Sequence, residues 1–160
     1  MVKKRRIEKG FFEYFVDGED KRFLGTILMG HLVVENLLVE AIKTQLDFPE
    51  EFDAYKIDYP EKVDLCVGLG ILPSAKKQVY LKLNNIRNKF AHELNYEFTI
   101  DDTLRYIHEM KKAGFVISNE RIDELETGLF GGEALALEIL EHLSLDLICF
   151  LHDHGVDIPQ

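Results

Sequence analysis

The chain has 160 residues, 46% of them apolar, which suits one compact domain (1–160) with its own core better than two. Nineteen Lys and Arg against 29 Asp and Glu give a net charge of −10, so the summed field repels polyanions and excludes a general nucleic-acid-coating protein. No uninterrupted apolar run approaches the length of a membrane span, and Glu13 interrupts the FFEYFV stretch near the N-terminus. The sequence therefore predicts a cytoplasmic protein with neither a span nor a secretory leader. Cys66 and Cys149 both lie in apolar surroundings and read as small buried hydrophobes in a reducing compartment, not as a disulfide or zinc framework.

In chain order, residues 3–16 place Ile7, Phe11 and Phe15 on one helical face, giving an N-terminal helical arm within 1–18 that Gly10 weakens and the Asp17-Gly18 turn closes. A long helix follows from Lys21 to Gln45. Leu24, Ile27, Leu28, Leu38 and Ile42 share one side of it, and Val33 and Leu37 cover part of the other. After a loop from Phe48-Pro49 to Asp58, Pro60 opens a short helix over 61–69 that Gly68 and Gly70 loosen and Pro73 ends. Ser74 reads as the N-cap of the next helix, where Val79, Leu83, Ile86, Phe90 and Leu94 form the cleanest amphipathic stripe in the chain. Thr99 with Asp102 is a capping signature for a helix to Ala113, with Gly114 as its left-handed terminus. A short helix at 120–127 and a break at Gly131-Gly132 precede a last helix, Glu133 to His152, with Leu140, Leu143, Leu147 and Leu151 inward and Gly155 at its close. Phe115–Ile117 is at most a brief extended piece, and no segment alternates as a strand does. The expected fold is all-α, a bundle of four to six helices.

Charge is segregated along the chain. Between Pro73 and His92 stand Lys76, Lys77, Lys82, Arg87 and Lys89 with no acid, and a second cluster (Lys3, Lys4, Arg5, Arg6, Lys9) marks the N-terminus. Such a run ordinarily solvates an outer helix face. Arg87 keeps more telling company, because Asn84, Asn88 and His92 lie on the side of the helix away from its apolar stripe. Arg87 and His92 are five apart, about 140° around a continuous helix, so they cannot meet on one phosphate unless the helix ends between them or a second protomer supplies the missing half. That shortfall predicts a homodimer. A permanently charged planar fork and a side chain that exchanges protons near neutral pH suit metal-free cleavage of RNA through its 2′-hydroxyl.

The string Asn84-Asn85-Ile86-Arg87-Asn88-Lys89-Phe90-Ala91-His92 resembles the Arg-x4–6-His signature of the HEPN superfamily, with Asn88 in the polar place after the Arg. The stretch from Tyr59-Pro60 through Gly68-Leu69-Gly70-Ile71-Leu72 is similar to the segment before the motif in the mannitol-operon-repressor-like branch, and a weaker likeness spans residues 20–115. The resemblance implies a four-to-five-helix dimeric domain whose Arg and His line one cleft, often cleaving RNA in toxin–antitoxin or defence systems. It makes Arg87, His92 and Asn88 the catalytic candidates, with Lys82, Lys89 and Asn84 as RNA contacts and an antitoxin or regulatory protein as a possible partner. The alternative it implies is a non-catalytic transcriptional regulator acting through protein contacts, consistent with a net negative chain without a helix-turn-helix and without direct DNA binding. One departure stands out: Leu94 occupies the position two after His92 where the antitoxin-modified branch commonly has Tyr, and the nearest tyrosine is Tyr96.

Other candidates are weaker. His31 and Glu35 stand four apart on the core side of the long helix, so both are expected to be buried, either satisfying each other or orienting Arg87 or His92. The ordinary reading of Arg87 and His92 themselves is a carboxylate pair and a helix-end cap. His152-Asp153-His154 lies at a helix terminus, where histidine is favoured by the dipole, and Gly68-x-Gly70 and Gly131-Gly132 lack the context of nucleotide loops. No metal or cofactor is expected, and the acidic C-terminal half leaves its partner open.

Overall fold

The computed structural model describes residues 18–93, 96–127 and 131–158. The predicted arm at 3–16 and Leu94 lie outside them. Six α-helices are present among the described residues, and no strand: α1 Gly18–Lys43, α2 Tyr59–Gly68, α3 Lys77–His92, α4 Ile100–Lys112, α5 Asn119–Thr127 and α6 Gly131–Asp153. The expected all-α class is what the chain adopts.

The long helices α1 and α6 form the spine, with α2 and α3 against α1, and α4 and α5 against α6. The two long helices pack tightly at Gly30, where an added Cβ would fall within 3 Å of three Leu140 side-chain atoms. A hydrogen at this position is what lets the two backbones approach. Val34, Leu38, Ala41 and Ile42 of α1 meet Leu135, Ile139, Leu143, Leu147 and Leu151 of α6 in one core, which α3 completes with Val79, Tyr80, Leu83 and Ile86. At these burials each large aliphatic side chain contributes about 1.5–3 kcal/mol.

The helix boundaries follow local chemistry. α2 begins two residues earlier than Pro60 suggested, because Asp58 accepts the Glu61 N–H while the Glu61 carboxylate accepts the Asp58 N–H. Thr99 and Asp102 form the predicted reciprocal cap of α4, and Gly114 closes that helix at φ 97°. Ser74 does not cap α3. It opens a 3-10 turn, Ser74–Lys76, and the α-helix starts at Lys77 with no side-chain cap. Gly131 and Gly132 begin α6 instead of breaking the chain before it. Phe115 and Ile117 are buried either side of exposed Val116 in a segment without a strand partner.

Two expectations from composition need correction. Cys149 is exposed, since it lies about 200° around α6 from inward Leu147; only Cys66 is buried. Leu24–Lys43 is long and apolar enough to cross a membrane by length and composition, its interior acids being few, although in this fold it supplies the bundle's central core face. Counting only uninterrupted apolar runs missed that property.

Candidate functional site

α3 carries the candidate residues on two different sides, and the local periodicity explains why. Val79, Leu83 and Ile86 turn into the core, so Asn84 and Arg87 flank the stripe on the α1 side, while Asn85, Lys89 and His92 flank it on the α4 side.

On the α1 side lies a buried polar cluster. His31 is almost fully buried, and its Nε2 is 3.1 Å from Asn84 Oδ1; with that oxygen as acceptor, Nε2 carries the proton. Its Nδ1 lies 3.9 Å from Glu35, and its ring stacks on Tyr59 at 4.4 Å. Lys62 of α2 donates to Glu35 at 2.6 Å, with only 7% of its side chain exposed. Burial holds the His31 imidazole below its ordinary value of 6.5, opposed by the Asn84 bond and the Glu35 charge and reinforced by Arg87 and Lys62. Tyr59 is deeply packed, its hydroxyl has no hydrogen-bond partner among the described residues, and burial pushes its phenol upward. His31 and Glu35 thus do meet, but each also has a partner from another helix, and Glu35 is only half-buried. Asn84 is turned toward His31, so it does not stand among the residues facing α4.

On the other side a groove of about 600 Å3 runs between α3 and α4. Asn88 and His92, one turn apart, both line it, and so do Lys82 and Lys89. Arg87 donates from Nη1 to Asn88 Oδ1 at 3.1 Å, which links the residue on the far flank to the groove wall. Among the described residues Arg87 has no ion pair, whereas Arg105 binds Asp102 and Arg121 binds Glu138 and Glu124. The carboxylate pairing that the ordinary reading gives Arg87 is therefore not found among the described residues.

The positive run does not survive folding as a patch. Lys76 pairs with Asp146 at 2.6 Å, Lys77 with Asp64 at 2.7 Å and Lys82 with Glu109 at 2.7 Å. Lys89 instead rests over the Tyr96 ring, 5.2 Å from its centre. Glu93, Asp102 and Glu109 all face the groove, which balances Lys82, Lys89 and Arg105.

Sequence reasoning missed Lys62, Tyr59 and Tyr96. Lys62 was detectable: Tyr59, Lys62, Val63 and Cys66 are spaced i, i+3, i+4, i+7, so a lysine stands at a core position of α2 and demands a buried acid. Of the C-terminal histidines, His154 is engaged by its own helix, with Nδ1 2.7 Å from the Phe150 carbonyl and its ring stacked on Phe150. No group of three metal-ligating side chains converges among the described residues. No family model matches the chain, and neither the curated proteins nor the solved structures contain a match to it.

Proposed function

We propose that this chain is a metal-independent endoribonuclease of the HEPN type, acting in the cytoplasm as a homodimer, in a toxin–antitoxin, defence or RNA-processing setting. The observation that carries the reading is Arg87: a guanidinium with no carboxylate among the described residues, hydrogen-bonded to the Asn88 amide that lines the groove with His92. A charged group left uncompensated by its own fold is available to an anion from outside. In the reaction, the 2′-oxygen attacks phosphorus, the 5′-oxygen leaves, and a 2′,3′-cyclic phosphate forms. His92 moves the proton as general acid or base, Arg87 of the second protomer clamps the phosphoryl oxygens, since α3 runs unbroken through both positions, and Asn88 holds Arg87 in place. Apolar side chains exposed on α1 (Met29, Leu32, Val33) and α6 (Leu137, Leu145) supply surface that a second copy could cover.

The test is incubation of the purified protein with single-stranded RNA in EDTA. Fragments ending in cyclic phosphate are expected, with losses of about 100- to 10,000-fold for His92→Ala. Equal cleavage by His92→Ala refutes the assignment, and light scattering at the mass of one 18.5 kDa chain refutes the dimer. The charge balance of the groove favours a second reading, a regulator that binds a partner without chemistry. Stable co-purification with a partner and no cleavage of any RNA select it.

A further inference from the structure

The α3–α4 groove, on the endoribonuclease reading above, has to hold some part of an RNA, and its chemistry is wrong for a run of phosphates. Lys82 is tied to Glu109 and Arg105 to Asp102, and Glu93 adds a further acid, so three acids meet three bases. Such a groove draws no polyanion along its length. It does offer amides and aromatic surface. The Asn85 side chain is exposed into it with no hydrogen bond among the described residues, offering one acceptor and two N–H donors. Asn88 gives its oxygen to Arg87, which leaves its amide N–H groups to donate.

Tyr96 supplies the platform. Its N–H donates to the Glu93 carbonyl, and its ring meets Phe90 edge-on, at 4.9 Å and 74°. The contact fixes the ring's orientation. The Lys89 ammonium occupies the space above a face of this ring at 5.2 Å. A flexible hydrated cation can swing away where a packed side chain cannot, and the π-face then serves a flat ligand. Asn85, Asn88 and His92 follow one another along about 10 Å of α3, so a base held here lies within a nucleotide's reach of His92. The groove's volume is that of a small-ligand site.

We infer that the α3–α4 groove is a nucleobase-binding site, in which the base of one unpaired nucleotide stacks on Tyr96 and is read along its edge by Asn85 and Asn88, while Lys89 turns to that nucleotide's phosphate. The ligand class is single-stranded nucleic acid with a splayed base, and the site sets base preference next to the bond that is cut.

The experiment uses the full chain carrying His92→Ala and measures binding of four short 2′-deoxy homo-oligonucleotides, one per base, which cannot be cleaved through a 2′-hydroxyl. Binding that ranks the bases, weakened about 5- to 150-fold by Tyr96→Leu and retained by Tyr96→Phe, is expected. Equal binding by Tyr96→Leu, or no preference among the four bases, overturns the inference. Should Tyr96→Leu unfold, the exposed Asn85 carries the test: Asn85→Asp must reorder the bases, and an unchanged ranking overturns it. Cleavage that depends on His92 but is indifferent to Tyr96 and Asn85 sinks this site and leaves the nuclease reading standing. Base-selective binding without cleavage by the native protein does the reverse.

Discussion

The Glu35–Lys62 pair should be strongly asymmetric to mutation. Lys62 stands among Val63 and Cys66 with 7% of its side chain exposed, whereas Glu35 keeps 26% and has His31 beside it. Replacing Glu35 by Leu strands an ammonium that water cannot reach, a fault that costs about 3–5 kcal/mol. Replacing Lys62 by Met keeps the aliphatic stem in place, and the carboxylate left behind still meets water, so the loss is about 1–2 kcal/mol. Making both changes removes the uncompensated charge, and stability should return close to that of the native chain. Urea unfolding followed by circular dichroism orders the three variants. A double variant whose loss equals the sum of the single losses would show that the two groups do not interact, and a Lys62→Met protein weaker than Glu35→Leu would reverse the assignment of which charge is sealed from solvent.

Thr99→Ala should cost about 1 kcal/mol, because Thr99 Oγ1 accepts the Asp102 N–H at 3.2 Å. The Thr99 N–H and hydroxyl also hold the Asp102 carboxyl below the usual carboxylate range, so NMR titration of Asp102 should move upward in the variant; an unmoved titration would contradict the cap. Gly25→Ala and Gly30→Ala should part company. Among the described residues nothing lies within 4 Å of a Cβ at 25, which leaves the helix-propensity gain of about 0.5–1 kcal/mol, while at 30 overpacking against Leu140 costs about 1–3 kcal/mol and outweighs it. Equal melting temperatures for the two proteins would deny the close crossing of α1 and α6. His31 binds a proton less readily in the fold than in the unfolded chain, so its contribution is complete above pH 6.5 and drains away as pH falls toward the folded value. Unfolding free energies at pH 8 and pH 5 should differ less in His31→Gln than in the native protein, and an identical difference would mean the ring is not buried neutral.

What the sequence revealed and what it hid divide along a physical line. Helical periodicity and caps are properties of neighbours in the chain, which is why the Thr99–Asp102 box, the Gly114 terminus and the inward leucines of α6 could all be read directly. The Asp58–Glu61 box belongs to the same class, although Pro60 beside it draws the apparent boundary to itself. The meaning of the charges was of another kind. Lys76, Lys77 and Lys82 look like one positive run only along the chain, and the acids that answer them come from α6, α2 and α4 respectively. Asn84 likewise faces outward on a helical wheel until His31 arrives from α1 to claim it.

Folding thus sorts the five cations between Pro73 and His92 by partner, Lys76 in the 3-10 turn and the other four on α3. Three are consumed in holding helices together, where a partly buried lysine needs its acid whatever the protein does. Arg87 and Lys89, either side of Asn88, are left without a carboxylate at ion-pair distance among the described residues. A structural role accounts for every member of the run except those two, one bound to an amide and the other laid over an aromatic ring. Both contacts are weaker than an ion pair and exchangeable, so each can give way to a phosphate and a base. The functional argument for α3 therefore rests on which cations the fold leaves over, since their number in the sequence is equally compatible with a purely structural helix.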